Sequence, residues 1–143
     1  MTVCTWNRGC SLGDVLTGEV SLSPAGLVVD RTWREIPQHY PHVDLDVFVI
    51  MPNHFHGILH LRDSEEPAKR HPLSEVLRGF KAFSTREIHR DLGEPDCPVW
   101  QRNYFERVIR DEAELARVRG YIVENPWKWE SDPDHPKNAT GLV

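Results

Sequence analysis

Two apolar runs separated by Pro52-Asn53 constrain this chain more than any other stretch. Upstream, Val43, Leu45, Val47, Val49 and Met51 alternate with other residues; downstream, His54-Phe55-His56-Gly57-Ile58-Leu59-His60-Leu61 does the same. Period-two alternation on both sides of a turn dipeptide reads as a β-hairpin. Side chains on a strand point to opposite faces in turn, so His54, His56, Ile58 and His60 share one face and Phe55, Leu59 and Leu61 the other. The apolar face demands cover from helices, which leaves the histidine face for a ligand. Neighbours at i and i+2 lie about 6.5 Å apart along a strand, a gap that two imidazoles leaning together close onto one divalent ion. His54 and His56 are therefore candidates for half of a metal site.

The other candidate half lies downstream. Asp111 and Glu114 have the spacing of a helix capping box, and Leu115, Val118 and Ile122 then fall on one helical stripe. Tyr121 and Asn125 are one turn apart on its flank. Pro126 disfavours helical geometry at the residue before it, so Asn125 is expected at the helix end. An amide there can offer a third ligand oxygen, with a phenol one turn away.

The segments MPNHFHG (51–57), VWQRNYFERVIR (99–110) and YIVENPWKW (121–129), with CTWNRGCSLGDV (4–15) near the start, occur in this order. In these segments the chain resembles the REP-associated tyrosine transposases, a branch of the single-tyrosine HUH transposases. That resemblance implies His54 and His56 as metal ligands, Asn125 as the third ligand, Mg2+ or Mn2+ as the ion, and Tyr121 as the nucleophile. It also implies an activity, metal-dependent cleavage and strand transfer of single-stranded DNA near hairpins through a 5′-phosphotyrosine intermediate. Two other readings stand beside it: a DNA-hairpin-binding protein with little or no catalysis, and a metal hydrolase unrelated to DNA.

The remaining elements follow from caps and periodicity. Met1 to Trp6 suits a short strand and Gly18 to Leu22 a second one or a hairpin arm. Ser23-Pro24 marks the start of a helix running through Trp33 and Ile36. After a polar link (62–72), Leu73 to Arg90 reads as a helix with Leu73, Val76, Leu77, Phe80 and either Phe83 or Ser84 inward. A Gly- and Pro-rich loop (91–98) leads into an expected last strand, Val99 to Ile109, and then the Tyr121 helix. This order suits an α+β fold, one domain over residues 1–143 with an antiparallel sheet, two helices on one face and a final helix near the other. The resemblance agrees, implying a ferredoxin-like, RRM-like sheet with the catalytic C-terminal helix on the face opposite the other helices.

A net charge of −5 weighs against a general nucleic-acid binder. The basic residues nevertheless concentrate between Lys69 and Arg90, and Arg78, Lys81 and Arg86, together with Arg102 and Tyr104 further on, are the expected DNA contacts. Tyr40 and Tyr104 are rival nucleophiles, Tyr104 being better suited to packing or base stacking. His60 is an extra ligand candidate by face, but it lies about 13 Å along the strand from His54, which suits a surface or supporting place better. Trp127 and Trp129 suit hydrophobic closure and base stacking equally. Cys4, Cys10 and Cys97 lack metal or disulfide spacing, which favours a reducing cytoplasm. No apolar run suits a membrane span. The resemblance implies single-stranded DNA or a DNA hairpin as the partner. A monomer and a homodimer with exchanged helices fit the motif order equally well.

Overall fold

A computed structural model describes residues 1–63, 66–93 and 97–138. Residues 64–65 of the polar link and 94–96 of the expected Gly- and Pro-rich loop lie outside them. The fold is α+β. Strands β1 (Thr2–Cys4), β4 (Val43–Met51) and β5 (His54–Leu61) form an antiparallel sheet in the order β1-β5-β4. A separate hairpin joins β2 (Gly13–Leu16) to β3 (Glu19–Leu22). The helices are α1 (Pro24–Arg34), the short α2 (Ile36–His39), α3 (Leu73–Leu92) and α4 (Glu112–Glu124).

Pro52-Asn53 is the whole connection between β4 and β5, as the alternation predicts. The register places Val49 opposite His56 and Met51 opposite His54. Farther from the turn the pairing slips between Leu45 and Phe48. A bulge of this kind moves the strand's later residues to the other face. In consequence Val43 and Leu45 pack with Phe48 and Ile50 in the main core, while Val49 and Met51 lie in register with the histidines. The sequence expectation of one uniform face from Val43 to Met51 fails at that bulge.

The core lies under α1 and α3. Trp33 of α1 is fully buried, its ring centroid 4.4 Å from Phe55 and 5.1 Å from Phe80. Gly57 makes room for it, because a Cβ there would stand 2.8 Å from the Trp33 ring. Ser23 caps α1 by accepting from the Gly26 N–H at 3.1 Å, with Pro24 in the first turn. On α3 the inward residue is Ser84 and not Phe83: its hydroxyl accepts from the Trp100 indole N–H at 2.9 Å.

The expected strand from Val99 to Ile109 is reduced to two isolated antiparallel bridges, Thr5 with Trp100 and Thr2 with Phe105. Between them Lys81 draws the backbone aside. Its ammonium donates to the carbonyls of Gln101, Arg102 and Asn103 at 2.8, 3.1 and 3.1 Å. Three successive carbonyls turned to one cation cannot alternate outward as a ladder requires.

Candidate metal and nucleophile site

The far face of the sheet carries a second, smaller set of buried side chains, among them Ile58, Ile122, Trp129, His54 and His56, outside the main core cluster. Helix α4 covers it. Asp111 caps α4 by accepting from the Glu114 N–H at 2.7 Å, and the Glu114 carboxylate turns back to the Arg110 N–H and to Arg107. Arg119, two residues before Tyr121, makes a two-pronged contact with Asp46 at 2.9 and 2.6 Å. Asp46 sits at the β4 bulge, so this pair ties the Tyr121 helix to the sheet. His60 joins the same carboxylate at 2.7 Å, which accounts for it away from His54.

Asn125 ends α4 and opens a 3-10 turn, Asn125–Ser131. His54 is fully buried, His56 9% and Asn125 2% exposed. The two imidazole centroids are 4.7 Å apart, and the Tyr121 ring, half exposed, stands 5.4 Å from that of His56. Asn125 is near enough to His54 to act on its pKa, so side chains from both halves approach one another within one chain.

Hydrogen bonds orient both imidazoles. His54 Nδ1 lies 2.8 Å from Asn53 Oδ1, an acceptor that holds the ring proton there and turns the lone pair onto Nε2. Asn53 is itself buried, its amide N–H2 donating to the carbonyls of Asp134 and Arg8. His56 Nδ1 lies 2.8 Å from Thr2 Oγ1, and a proton given to that oxygen frees Nε2 in the same way. Burial lowers the pKa of His54 against the opposing pull of Asp132, Asp134 and Asn125. Burial first, and His54 beside it, push His56 down to about 3. Both rings are thus neutral at physiological pH, the form that ligates a metal.

Nε2 of His54, Nε2 of His56 and Oδ1 of Asn125 are all buried without a hydrogen-bond partner. Buried polar atoms are rarely left so, since each costs on the order of 1–3 kcal/mol. Orphaned nitrogen and oxygen lone pairs gathered in one site fit a divalent cation. Mn2+ suits the mixture of imidazole and amide, and Mg2+ the oxygen.

The other expected site residues lie elsewhere. Arg78, Lys81, Arg86 and Arg102 line a groove of about 570 Å³ between α3 and residues 98–102, which shares no lining residue with the histidine site. Tyr104 packs beside it, 5.8 Å from the Lys81 ammonium. Lys81 is held by backbone carbonyls, whereas Arg78 and Arg102 are exposed and make no ion pair among the described residues. The two tryptophans part company. Trp129 is buried between His54 and His135, while Trp127 is 70% exposed against Gly18. Sequence reading missed Asn53 and Thr2 as supports, because a turn residue and a strand residue give no sign of which ring they will meet. The three cysteines are free, and no helix among the described residues is long and apolar enough to cross a membrane.

No family model matches the chain. It is 36% identical to an uncharacterised Haemophilus influenzae protein, over 92% of this chain and 81% of that protein. It is 26% identical to a second Haemophilus influenzae protein, named "Putative REP-associated tyrosine transposase", over 67% of this chain and 56% of that protein's length. Among solved structures, one described as a REP-associated tyrosine transposase bound to a REP hairpin matches with a TM-score of 0.64 at 20% identity, over 89% of this chain and 64% of that one. Another, described as "a putative transposase" from Deinococcus radiodurans, matches with a TM-score of 0.56 at 18% identity, over 87% and 86% of the two chains. Both share the α+β fold. The chain therefore belongs to the same family as its 36% identical Haemophilus relative and is itself a relative, in sequence and in fold, of the REP-associated tyrosine transposases.

Proposed function

We propose that this protein is a metal-dependent single-stranded DNA endonuclease and strand transferase, acting near DNA hairpins through a 5′-phosphotyrosine intermediate. The observation that carries the reading is the set of three orphaned donor atoms, from His54, His56 and Asn125, beside a solvent-accessible Tyr121. The names of its relatives support a transposase-like, DNA-processing enzyme, and the hairpin bound to one of them supports a hairpin partner.

In this reading His54, His56 and Asn125 hold Mn2+ or Mg2+. When bound, the ion supplies Lewis acidity at the scissile phosphate and offsets the charge that develops as the bond breaks. Tyr121 Oη gives up its proton and attacks phosphorus, the P–O3′ bond breaks, and the departing 3′ oxygen takes a proton. A covalent link retains the phosphodiester energy that hydrolysis would dissipate, so a second 3′-hydroxyl can reverse the step and join strands. Asn53 and Thr2 keep the imidazoles in register, and α4 carries Tyr121 on the side of His56. Arg78, Arg86 and Arg102 are the exposed cations suited to the phosphates of a bound hairpin, with Lys81 and Tyr104 shaping the groove beneath them.

The test is incubation of the purified protein with Mn2+ and labelled hairpin oligonucleotides carrying single-stranded flanks, followed by a denaturing gel. A covalent protein–DNA band is expected, lost in Tyr121→Phe and His56→Ala and in the presence of chelator. Hairpin binding in a native gel with no adduct under any divalent ion would replace the reading with a binding protein that lacks catalysis.

A further inference from the structure

Resting on the histidine pair as a cation site, a second question is what supplies negative charge to it. His54, His56 and Asn125 are three neutral donors, a weak set for Mn2+ or Mg2+, which favour carboxylate oxygen. One carboxylate is buried against His54. Asp132, 7% exposed, follows directly on the 3-10 turn that Asn125 opens, and its Oδ2 stands 3.8 Å from Nε2 of His54.

The hydrogen bonds around this contact leave it unexplained as a simple ion pair. His54 directs its ring proton from Nδ1 toward Asn53, so the nitrogen facing Asp132 presents a lone pair to an anion. The other carboxylate oxygen, Oδ1, accepts from the Asp134 backbone N–H at 2.8 Å, which fixes the carboxylate plane and leaves Oδ2 turned to the site. Nε2 of His56 and Oδ1 of Asn125 add two further buried lone-pair atoms that lack a partner. Electron-pair donors gathered away from water repel one another, and a cation among them removes the conflict.

We propose that Asp132 is the fourth protein ligand of a divalent cation shared with His54, His56 and Asn125, and that this set binds the ion before any DNA arrives. Asp134 is the competing carboxylate. Ligand atoms of His54, Asp132 and Asp134 lie within 4.8 Å of one another. Asp134, however, approaches Nδ1 of His54, at 4.0 Å, the nitrogen whose proton Asn53 takes. It also pairs with Arg8 at 3.4 Å and is partly exposed. An ion between Nδ1 and Asp134 would have to break the Asn53 contact, whereas one at Nε2 breaks nothing. Asp134 therefore neutralises Arg8 and holds the turn, and Asp132 binds the metal. The acidic segment after Trp129 then has a purpose: it brings one carboxylate back under the nucleophile helix.

The experiment is Mn2+ titration of the intact chain without DNA, followed by loss of the free-ion electron paramagnetic resonance signal. Asp132→Asn retains Oδ1 and the turn. Its dissociation constant is expected to rise by about tenfold or more, as for His56→Ala, while Asp134→Asn changes it by less than about threefold. Wild-type affinity in Asp132→Asn with loss in His56→Ala overturns the fourth ligand and leaves the histidine site standing. A larger loss in Asp134→Asn than in Asp132→Asn overturns it in favour of the other carboxylate. No Mn2+ binding by the wild-type chain overturns the proposal and the metal reading beneath it together. Should Asp132→Asn fail to fold, Asp132→Cys serves: a thiolate ligand favours Cd2+ by about tenfold or more over the wild type and adds a thiolate-to-cadmium absorption band, and absence of both overturns the assignment.

Discussion

At the scale of single residues, the site depends on which nitrogen of each imidazole carries the proton. Asn53 decides this for His54 by accepting at Nδ1, and Thr2 offers His56 the same partner. Asn53→Ala removes that acceptor and strands the carbonyls of Asp134 and Arg8, so it is expected to weaken Mn2+ binding by about 10–100-fold. The same substitution should lower stability by roughly 1–3 kcal/mol. Mn2+ titration and urea unfolding read the two effects separately. Gly57 illustrates a different constraint. It lies one residue past His56, yet its role is on the opposite face, where a Cβ would press on Trp33 and Phe55. Gly57→Ala should cost about 1–3 kcal/mol by overpacking, measured by thermal unfolding in chelator.

At the scale of elements, α4 is held to the sheet by the Asp46–Arg119 pair as well as by Ile122. Hydrogen bonds from Arg119, with lesser help from His60 and the Val47 N–H, hold the Asp46 carboxyl well below the usual carboxylate range. A carboxylate with a depressed folded-state pKa stabilises the fold fully above its unfolded pKa, about 4, and loses that contribution as pH falls toward the folded value. Acid titration should therefore loosen α4 below about pH 4, and Asp46→Asn should flatten that part of the stability–pH curve, as followed by Tyr121 and Trp129 fluorescence. The segment after α3 shows the converse case, an element lost to a side chain. Lys81 takes three carbonyls there, and burial lowers its pKa. Lys81→Met should destabilise the protein by about 1–3 kcal/mol, where a lysine serving only as a phosphate contact would leave the melting temperature unchanged.

At the scale of the whole molecule, the sheet separates two tasks: α1 and α3 bury Trp33, Phe55 and Phe80 on one face, and α4 closes the histidines on the other. An ion bound only by the folded chain stabilises it, so Mn2+ at about a hundred times its dissociation constant should add roughly 2.7 kcal/mol and raise the melting temperature by about 5–10 °C. Calorimetry with and without chelator measures this. The period-two pattern around Pro52-Asn53, the caps at Ser23 and Asp111 and the tyrosine–asparagine spacing were legible from the chain, because each is a local rule of strand, helix or turn. The same local reading put His54 and His56 on one strand face and Tyr121 and Asn125 one helical turn apart, while the joining of the two pairs in one site was implied by the family resemblance. Three features needed the tertiary structure: the bulge that redirects β4, the collapse of residues 99–109 onto Lys81, and the approach of Asp132 to His54 across more than seventy positions of chain. Sequence periodicity states which way a side chain points from its own backbone. Which lone pairs end up facing one another without a proton between them is decided only when separate elements pack.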